Sequence, residues 1–441
     1  MNKRDFLKNA AALSSLAMIP TESWAFSADK RLRTAHIGLG GMGQADLASV
    51  SSHSNVDVVA LCDVDSEVLA KVKTKFPNAK TYKDYRVMLK EMSKEIDAVV
   101  VSTPDHSHAP ASIMAMEMDK PVYCQKPLTH YVEEARAMDK MAKDKKLVTQ
   151  MGIQVHSFYD YKLATLLIQS GIIGKVHTVR AWSPKNWGYN GPIPESGDAV
   201  PSNLDWNLWL GTSAERPYKD GFYHPGNWRK LVDYGCATLG DMGVHIFDTP
   251  YNALQLDVPR TITTNCRKPN GFGYPEKNMV TYEFPGTKYT ANTLKWVWYD
   301  GVGADKQRED LMLPDGADLH DQGAMFIGEK GRLYLPHFQV MPKLIVDGAY
   351  KDIDITPFKL SPPVREYDSE SHKHYHEFVD ACLGKGKTSA PFSYASRLTE
   401  TILLGVIAGR FPNKTLHWDA KKAQFAEEEA NKFLGGAYRK F

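Results

Sequence analysis

Three residues far apart in the chain have the types and the local settings that alcohol oxidation needs. Lys126 ends the run Val122-Tyr-Cys-Gln125 and is followed by Pro127, which restricts its backbone. Asp241 and His245 lie four apart in Gly240-Asp-Met-Gly-Val-His245, a spacing that puts both side chains on one face of a helix. One such group can take a hydroxyl proton as hydride leaves, while the others hold the oxygen in place. His245 is the expected base, Lys126 assists proton transfer, and Asp241 orients the hydroxyl and the imidazole. Alone, each residue reads as structural. Together they need a hydride acceptor.

The chain supplies a place for one. Thr34-Ala-His-Ile-Gly38-Leu-Gly40-Gly41-Met42-Gly43 sets Gly38, Gly40 and Gly43 in GxGxxG spacing. The run before it reads as a strand and the run after it as a helix, the context in which this motif binds a dinucleotide. The glycines permit a tight turn and close approach of backbone to a diphosphate, and the helix N-terminus supplies N–H donors. Asp63 ends the next expected strand, about 20 residues on, where a carboxylate accepts from ribose hydroxyls. It would repel a 2′-phosphate, and no Lys or Arg follows before Lys71, so NAD is expected rather than NADP. His106 and His108 either edge the nicotinamide or cap the following helix.

Positioning these groups takes two kinds of layer. Expected strands over 33–38, 56–63, 98–102, 121–125 and 147–151 alternate with helices over 41–51, 65–76, 108–118 and 128–145. This is an α/β pattern that predicts a doubly wound parallel sheet, the Rossmann arrangement. Beyond Val155 the strands over 176–182, 261–266, 279–284, 289–297, 324–327, 332–335 and 343–346 predict an α+β domain with a large, mostly antiparallel sheet. A helix over 240–254 carries Asp241 and His245, and helices follow over 371–383 and 393–410. The expected division is a leader over 1–25, a nucleotide domain over 31–151, a substrate and oligomerisation domain over 152–392, and helices over 393–441 packed across both. The Gly-, Pro- and Asn-rich stretch 184–201 is a candidate arm or lid.

Composition excludes several partners. Lys and Arg number 54 against 52 Asp and Glu, leaving no field to attract nucleic acid, and no later apolar run is long enough to span a bilayer. The five Cys lack paired spacing, so neither a disulfide framework nor a zinc site is expected. His372, His374 and His376 lack a further ligand of clear spacing and read as a helix start. The leader has a basic start (Lys3, Arg4, Lys8), an apolar stretch and small residues at Ser23 and Ala25. Lys3-Arg4-Asp-Phe-Leu-Lys8 is similar to a twin-arginine export signal with Lys for the first Arg, so a periplasmic location is expected.

The chain resembles the glucose–fructose oxidoreductase/inositol dehydrogenase (Gfo/Idh/MocA) family over nearly everything after the leader. The resemblance rests on Gly38–Gly43, Ser102-Thr-Pro-Asp-His-Ser-His108, the Lys126-Pro127 pair and the Asp241/His245 helix. It extends to Leu204-Asp-Trp-Asn-Leu-Trp-Leu-Gly211, 323–331 and the Glu429-Ala-Asn431 segment. It implies that Lys126, Asp241 and His245 are the catalytic set, that Thr103 and Pro104 line the cofactor cleft, and that the substrates are sugars or cyclitols. Tyr223, His224, Trp228 and Arg229, just before the catalytic helix, are candidate sugar contacts. Trp182 and Trp187 are candidates on composition alone. A homodimer or homotetramer through the second sheet is also expected.

The chain departs from the family at Gln125, where the family has Glu. The amide removes a negative charge beside the cofactor and Lys126, so Gln125→Glu is expected to make bound NAD harder to reduce. Three readings follow. The leading one is hydride transfer between a secondary hydroxyl of a sugar, glycoside or cyclitol and a tightly held NAD. The alternatives are redox-neutral glycoside cleavage through a transient keto-sugar, and a non-catalytic sugar binder with structural NAD.

Overall fold

The computed structural model describes residues 31–303, 311–360 and 366–441. The leader therefore lies outside the described residues. The first layer is a parallel sheet of β1 (Leu32–Ile37), β2 (Val56–Cys62), β3 (Lys80–Tyr82), β4 (Ala98–Val101), β5 (Val122–Gln125) and β6 (Thr149–Gly152). Its order is β3-β2-β1-β4-β5-β6. The apolar run of β4 is buried at every position, as expected of a strand covered on both faces. Helices α1 (Met42–Ser51), α2 (Ser66–Lys73), α3 (Tyr85–Glu91), α4 (Asp105–Glu117) and α5 (Val132–Lys145) make the crossovers. Strand order reverses between β1 and β4, which opens the crevice where such sheets bind ligands.

The second sheet has ten strands: β7 (Val176–Ser183), β8 (Thr261–Asn265), β9 (Asn278–Pro285), β10 (Thr290–Asp300), β11 (Gly323–Gly328), β12 (Gly331–Pro336), β13 (Lys343–Val346), β14 (Ala349–Lys351), β15 (Thr415–Asp419) and β16 (Gln424–Phe425). All its neighbours pair antiparallel except β7 with β10. The expected fold class, a Rossmann sheet plus a large and mostly antiparallel α+β sheet, is the one observed.

Helix α6 (Tyr159–Gln169) was not expected. Its apolar residues Leu163, Ala164, Leu167 and Ile168 have helical spacing and are buried, but the aromatic start Phe158-Tyr-Asp-Tyr161 resembles a strand. It packs on α7 (Val244–Ala253). Helix α8 (Tyr367–Cys382) lies against α1. Helix α9 (Phe392–Ala408) packs on α5 and β6 on one side and on β8 on the other, so it ties the two sheets together. The expected helix through Asp241 and His245 is not one regular helix. Leu239–Gly243 forms a wide π turn, and α7 begins at Val244. Such turns break the i,i+4 register and concentrate at functional sites.

Candidate active site

The crevice floor is the β1–α1 turn. Gly38 has φ 85° and lies so close to β4 that a Cβ there would stand 2.6 Å from the Ser102 carbonyl oxygen. A Cβ on Gly43 would stand 2.2 Å from the Gly38 carbonyl oxygen. Nothing lies within 4 Å of the equivalent point on Gly40 or Gly41, so that side of the turn is open. Helix α1 begins there with no side-chain cap and no acidic residue in its first turn, leaving its N–H donors for an anion. These residues fit a dinucleotide diphosphate. Gly43→Ala is expected to cost about 1–3 kcal/mol of stability. Gly40→Ala should fold normally yet lose NAD. Thermal melts and NAD titration of the two variants check this, and equal behaviour would contradict it.

Asp63 immediately follows β2, one residue past the observed strand end, and it also shapes the turn. Its Oδ2 accepts from Leu39 N at 2.7 Å and its Oδ1 from Asp65 N at 2.9 Å. Burial raises its pKa. The Thr103 hydroxyl is buried without a partner among the described residues, and Thr103 and Pro104 are half-buried at the end of β4. Met42 is half-buried at the start of α1.

Two expected cofactor contacts are corrected. His108 is buried, its ring 2.8 Å from the carbonyl oxygens of both Thr103 and Pro127. Both ring nitrogens are thus taken up in bracing the Thr103 and Pro127 turns, leaving neither for a cofactor hydrogen bond. Gln125 is also buried. Its Nε2 donates to both carboxylate oxygens of Asp46, at 2.9 and 3.0 Å, and its Oε1 accepts from Lys126 N. Asp46 accepts further bonds from Ser102 Oγ at 2.6 Å and the Tyr375 hydroxyl at 2.7 Å. Burial pushes Asp46 up to about 6 despite these donors. The negative charge that Gln125 lacks is therefore present one side chain away, on Asp46.

The catalytic candidates do meet. Lys126 follows β5 at the carboxyl edge of the sheet. Its Nζ donates to Asp241 Oδ1 at 2.8 Å and to the Asp241 carbonyl oxygen at 2.9 Å. Trp187 Nε1 donates to Asp241 Oδ2 at 2.7 Å, while Arg229 Nε and Lys185 Nζ stand 3.3 and 3.9 Å from the same carboxylate. Burial works against the charged form of Asp241, but Lys126 and Arg229 overturn it and hold the carboxylate well below its ordinary pKa. No hydrogen bond joins Asp241 to His245, so Asp241 orients the Lys126 ammonium and not the imidazole. His245 Nδ1 is buried and has no partner among the described residues. Burial, then Lys126 and His337, lower the His245 pKa well below its usual value. The ring is neutral at physiological pH and able to accept a proton.

Two candidate sugar contacts are also corrected. Tyr223 and Trp228 are buried in an aromatic cluster with Trp209, Tyr218 and Tyr234, so they support the loop from inside. His224 is half-buried at its edge, 6.1 Å from the Trp209 ring, and Arg229 reaches the site. Trp182, on β7, is buried on one face of the second sheet against Met325 and Tyr334, with its indole N–H on the His320 carbonyl oxygen. The candidate arm 184–201 does reach the site, through Lys185 and Trp187. His337 was missed altogether. It follows β12, its ring centroid is 6.1 Å from that of His245, and its Nδ1 is hydrogen-bonded to the Tyr161 hydroxyl. No motif surrounds His337, so only the folded chain brings it here. Among the described residues, no group of three or more His, Cys, Asp or Glu is placed to hold a metal.

Two family models match this chain: an oxidoreductase NAD-binding Rossmann fold over residues 32–153 and its C-terminal alpha/beta domain over 161–271. The chain belongs to the Gfo/Idh/MocA oxidoreductase family. It is 29% identical over 147 residues to a levoglucosan dehydrogenase of Pseudarthrobacter phenanthrenivorans, covering 31% of this chain and 37% of that one. It is 27% identical over 147 residues to an inositol 2-dehydrogenase of Salmonella paratyphi B, covering 33% and 43%. The chain thus matches well under half the length of these curated relatives. A solved levoglucosan dehydrogenase in complex with NADH and levoglucosan shares the fold, with a TM-score of 0.62, 17% identity, and coverage of 88% of this chain and 99% of that one. The family assignment thus rests on the two matched segments, and the solved structure shows that the fold is shared.

Proposed function

We propose that this Gfo/Idh/MocA protein oxidises a secondary hydroxyl of a sugar, glycoside or cyclitol to a ketone with NAD held in the β1–β4 crevice. The observation that carries this reading is the Lys126–Asp241 bridge at the carboxyl edge of the parallel sheet, beside a neutral His245 that has an unpartnered ring nitrogen. NAD, when bound, supplies the hydride acceptor. His245 takes the hydroxyl proton, and the Lys126 ammonium donates a hydrogen bond to the substrate oxygen. Asp241 fixes that ammonium by accepting from it with both a carboxylate oxygen and its backbone carbonyl. The sugar and cyclitol substrate class is supported by the levoglucosan and inositol dehydrogenase relatives. Export by the leader and pairing of copies through the ten-stranded sheet belong to the same proposal. A nucleotide outside the cytoplasm would need to stay bound and be reoxidised in place.

The test is absorbance at 340 nm of the purified, NAD-loaded protein on addition of sugars and glycosides, with product analysis. A rise accompanied by a keto-sugar is expected. Release of free sugar and aglycone without net reduction would replace this reading with redox-neutral cleavage. Sugar binding with no spectral change or product would replace it with a binding role.

A further inference from the structure

The charges around Asp241 do not balance. Lys126, Arg229 and Lys185 all point their cationic groups at one carboxylate, with closest approaches of 2.8, 3.3 and 3.9 Å. Of these three cations, only Lys126 forms a hydrogen bond with it. Three cations thus share one carboxylate, and neither Arg229 nor Lys185 has a hydrogen-bonded counter-ion among the described residues. Lys126 is nearly buried, but the Arg229 and Lys185 side chains keep 27% and 48% of their surface exposed, so their donors are open to a ligand. The two imidazoles beside them add no negative charge and are not cationic, because burial lowers both His245 and His337. Two more acids lie near these cations: Asp46, which burial pushes up to about 6, acts on Lys126 alone of the three, and Asp105 acts on Lys126 and Arg229. Burial pushes Asp105 up to about 7, so it offsets the excess only in part.

The excess has no structural use that a neutral side chain would not serve better. Asp241 is already satisfied by Lys126 and by Trp187 Nε1. A cation brought to an already paired carboxylate in a half-buried cleft repels its like-charged neighbours. Arg229 is placed by stacking, its guanidinium 4.3 Å from the Trp228 ring centroid and 5.8 Å from that of Trp187. The nucleotide diphosphate does not account for the charge, because its seat is the Gly38–Gly43 turn and the α1 N-terminus. Arg229 instead lies in the short turn Asn227–Lys230 within the aromatic-cluster segment, and Lys185 in the loop after β7, so neither belongs to the glycine turn.

We propose that the substrate is an anionic sugar, carrying a carboxylate or a sulfate ester, and that Arg229 and Lys185 bind that group. Arg229 can grip a planar carboxylate with paired N–H donors, and Lys185 adds a point charge. This inference deepens the dehydrogenase reading and rests on it for turnover, though not for binding.

The experiment compares D-glucuronate and D-glucose 6-sulfate with D-glucose, using the NAD-loaded protein. Calorimetry reads binding and the 340 nm signal reads turnover. We expect both acids to bind more tightly than D-glucose by about tenfold or more, and by less as salt is raised. Whichever acid binds better identifies the anion. Lys185→Gln should lower the acid-to-neutral affinity ratio several-fold, and Lys185→Arg should restore most of it. An equal or greater affinity for D-glucose, or a ratio unmoved by Lys185→Gln, overturns the proposal. Tight binding of an acid with no reduction of NAD would sustain the anion site and count against the dehydrogenase reading, so the two failures are distinct.

Discussion

Replacing His245 with Asn is expected to lower kcat by roughly 10²- to 10⁴-fold, the usual contribution of a positioned general base. NAD binding should be retained, because His245 lies on α7, away from the glycine turn. The pH profile provides the sharper readout. His245 is depressed by burial and by the Lys126 charge, so it stays neutral well below pH 6.5. The acid limb of kcat/KM in the parent protein should therefore fall well below the ordinary histidine range. In Lys126→Met one of the depressing charges is gone, and the limb of the residual activity should shift toward higher pH. A kcat within tenfold of the parent in His245→Asn, or an acid limb near 6.5 in the parent, would remove His245 from the role of base.

Gln125→Glu is expected to destabilise the protein by about 1–3 kcal/mol at neutral pH, through two buried carboxylates in contact. The parent amide donates to both oxygens of Asp46 at 2.9 and 3.0 Å, and a carboxylate in its place has no proton to give. One of the pair must then hold a proton. Burial already raises the Asp46 pKa to about 6, and a second negative charge raises it further. An acid whose folded pKa lies above its unfolded value is favoured below the unfolded pKa, and that advantage is lost as pH rises through the folded one. The penalty should thus be small near pH 5 and large near pH 8, as melts at the two pH values will read. Asp46→Asn in the same background restores an amide–carboxylate pair and should recover most of the loss. Equal melting of parent and Gln125→Glu at pH 8 would contradict the argument.

This also revises the redox effect expected from sequence. Losing Glu at position 125 suggested a site short of one negative charge beside the nicotinamide. The structure places the Asp46 carboxylate against Gln125, so the local charge is displaced and not deleted. The change in the potential of bound NAD on Gln125→Glu should accordingly be small, since the new charge is shared with a proton.

Much of the nucleotide half was legible because its signals are local. The Gly38–Gly43 turn needs glycine for reasons contained in about six residues: a positive φ at Gly38 and a backbone approach at Gly43 that no Cβ survives. The strand–helix alternation is likewise a property of short windows, and Asp63 follows from where β2 must end. Lys126, Asp241 and His245 were found from local motifs too, and the fold brings Lys126 and Asp241 together across 115 residues.

The roles within the site were not legible, because they depend on which distant groups share a hydrogen bond. Asp241 and His245, spaced as partners on a helix, are separated by the π turn, and Asp241 turns to Lys126 and Trp187 instead. Tyr223 and Trp228 have the chemistry of sugar contacts, but their apolar area is worth more inside the aromatic cluster. His337 carries no motif at all. The sequence by itself determined the doubly wound fold, the nucleotide turn and the identity of the three catalytic candidates, since each is written in near-neighbour spacing. Only the tertiary structure decided their partners, moved the negative charge to Asp46 and gathered Lys185 and Arg229 beside Asp241. Those outcomes depend on burial and on contacts between segments that no local pattern connects.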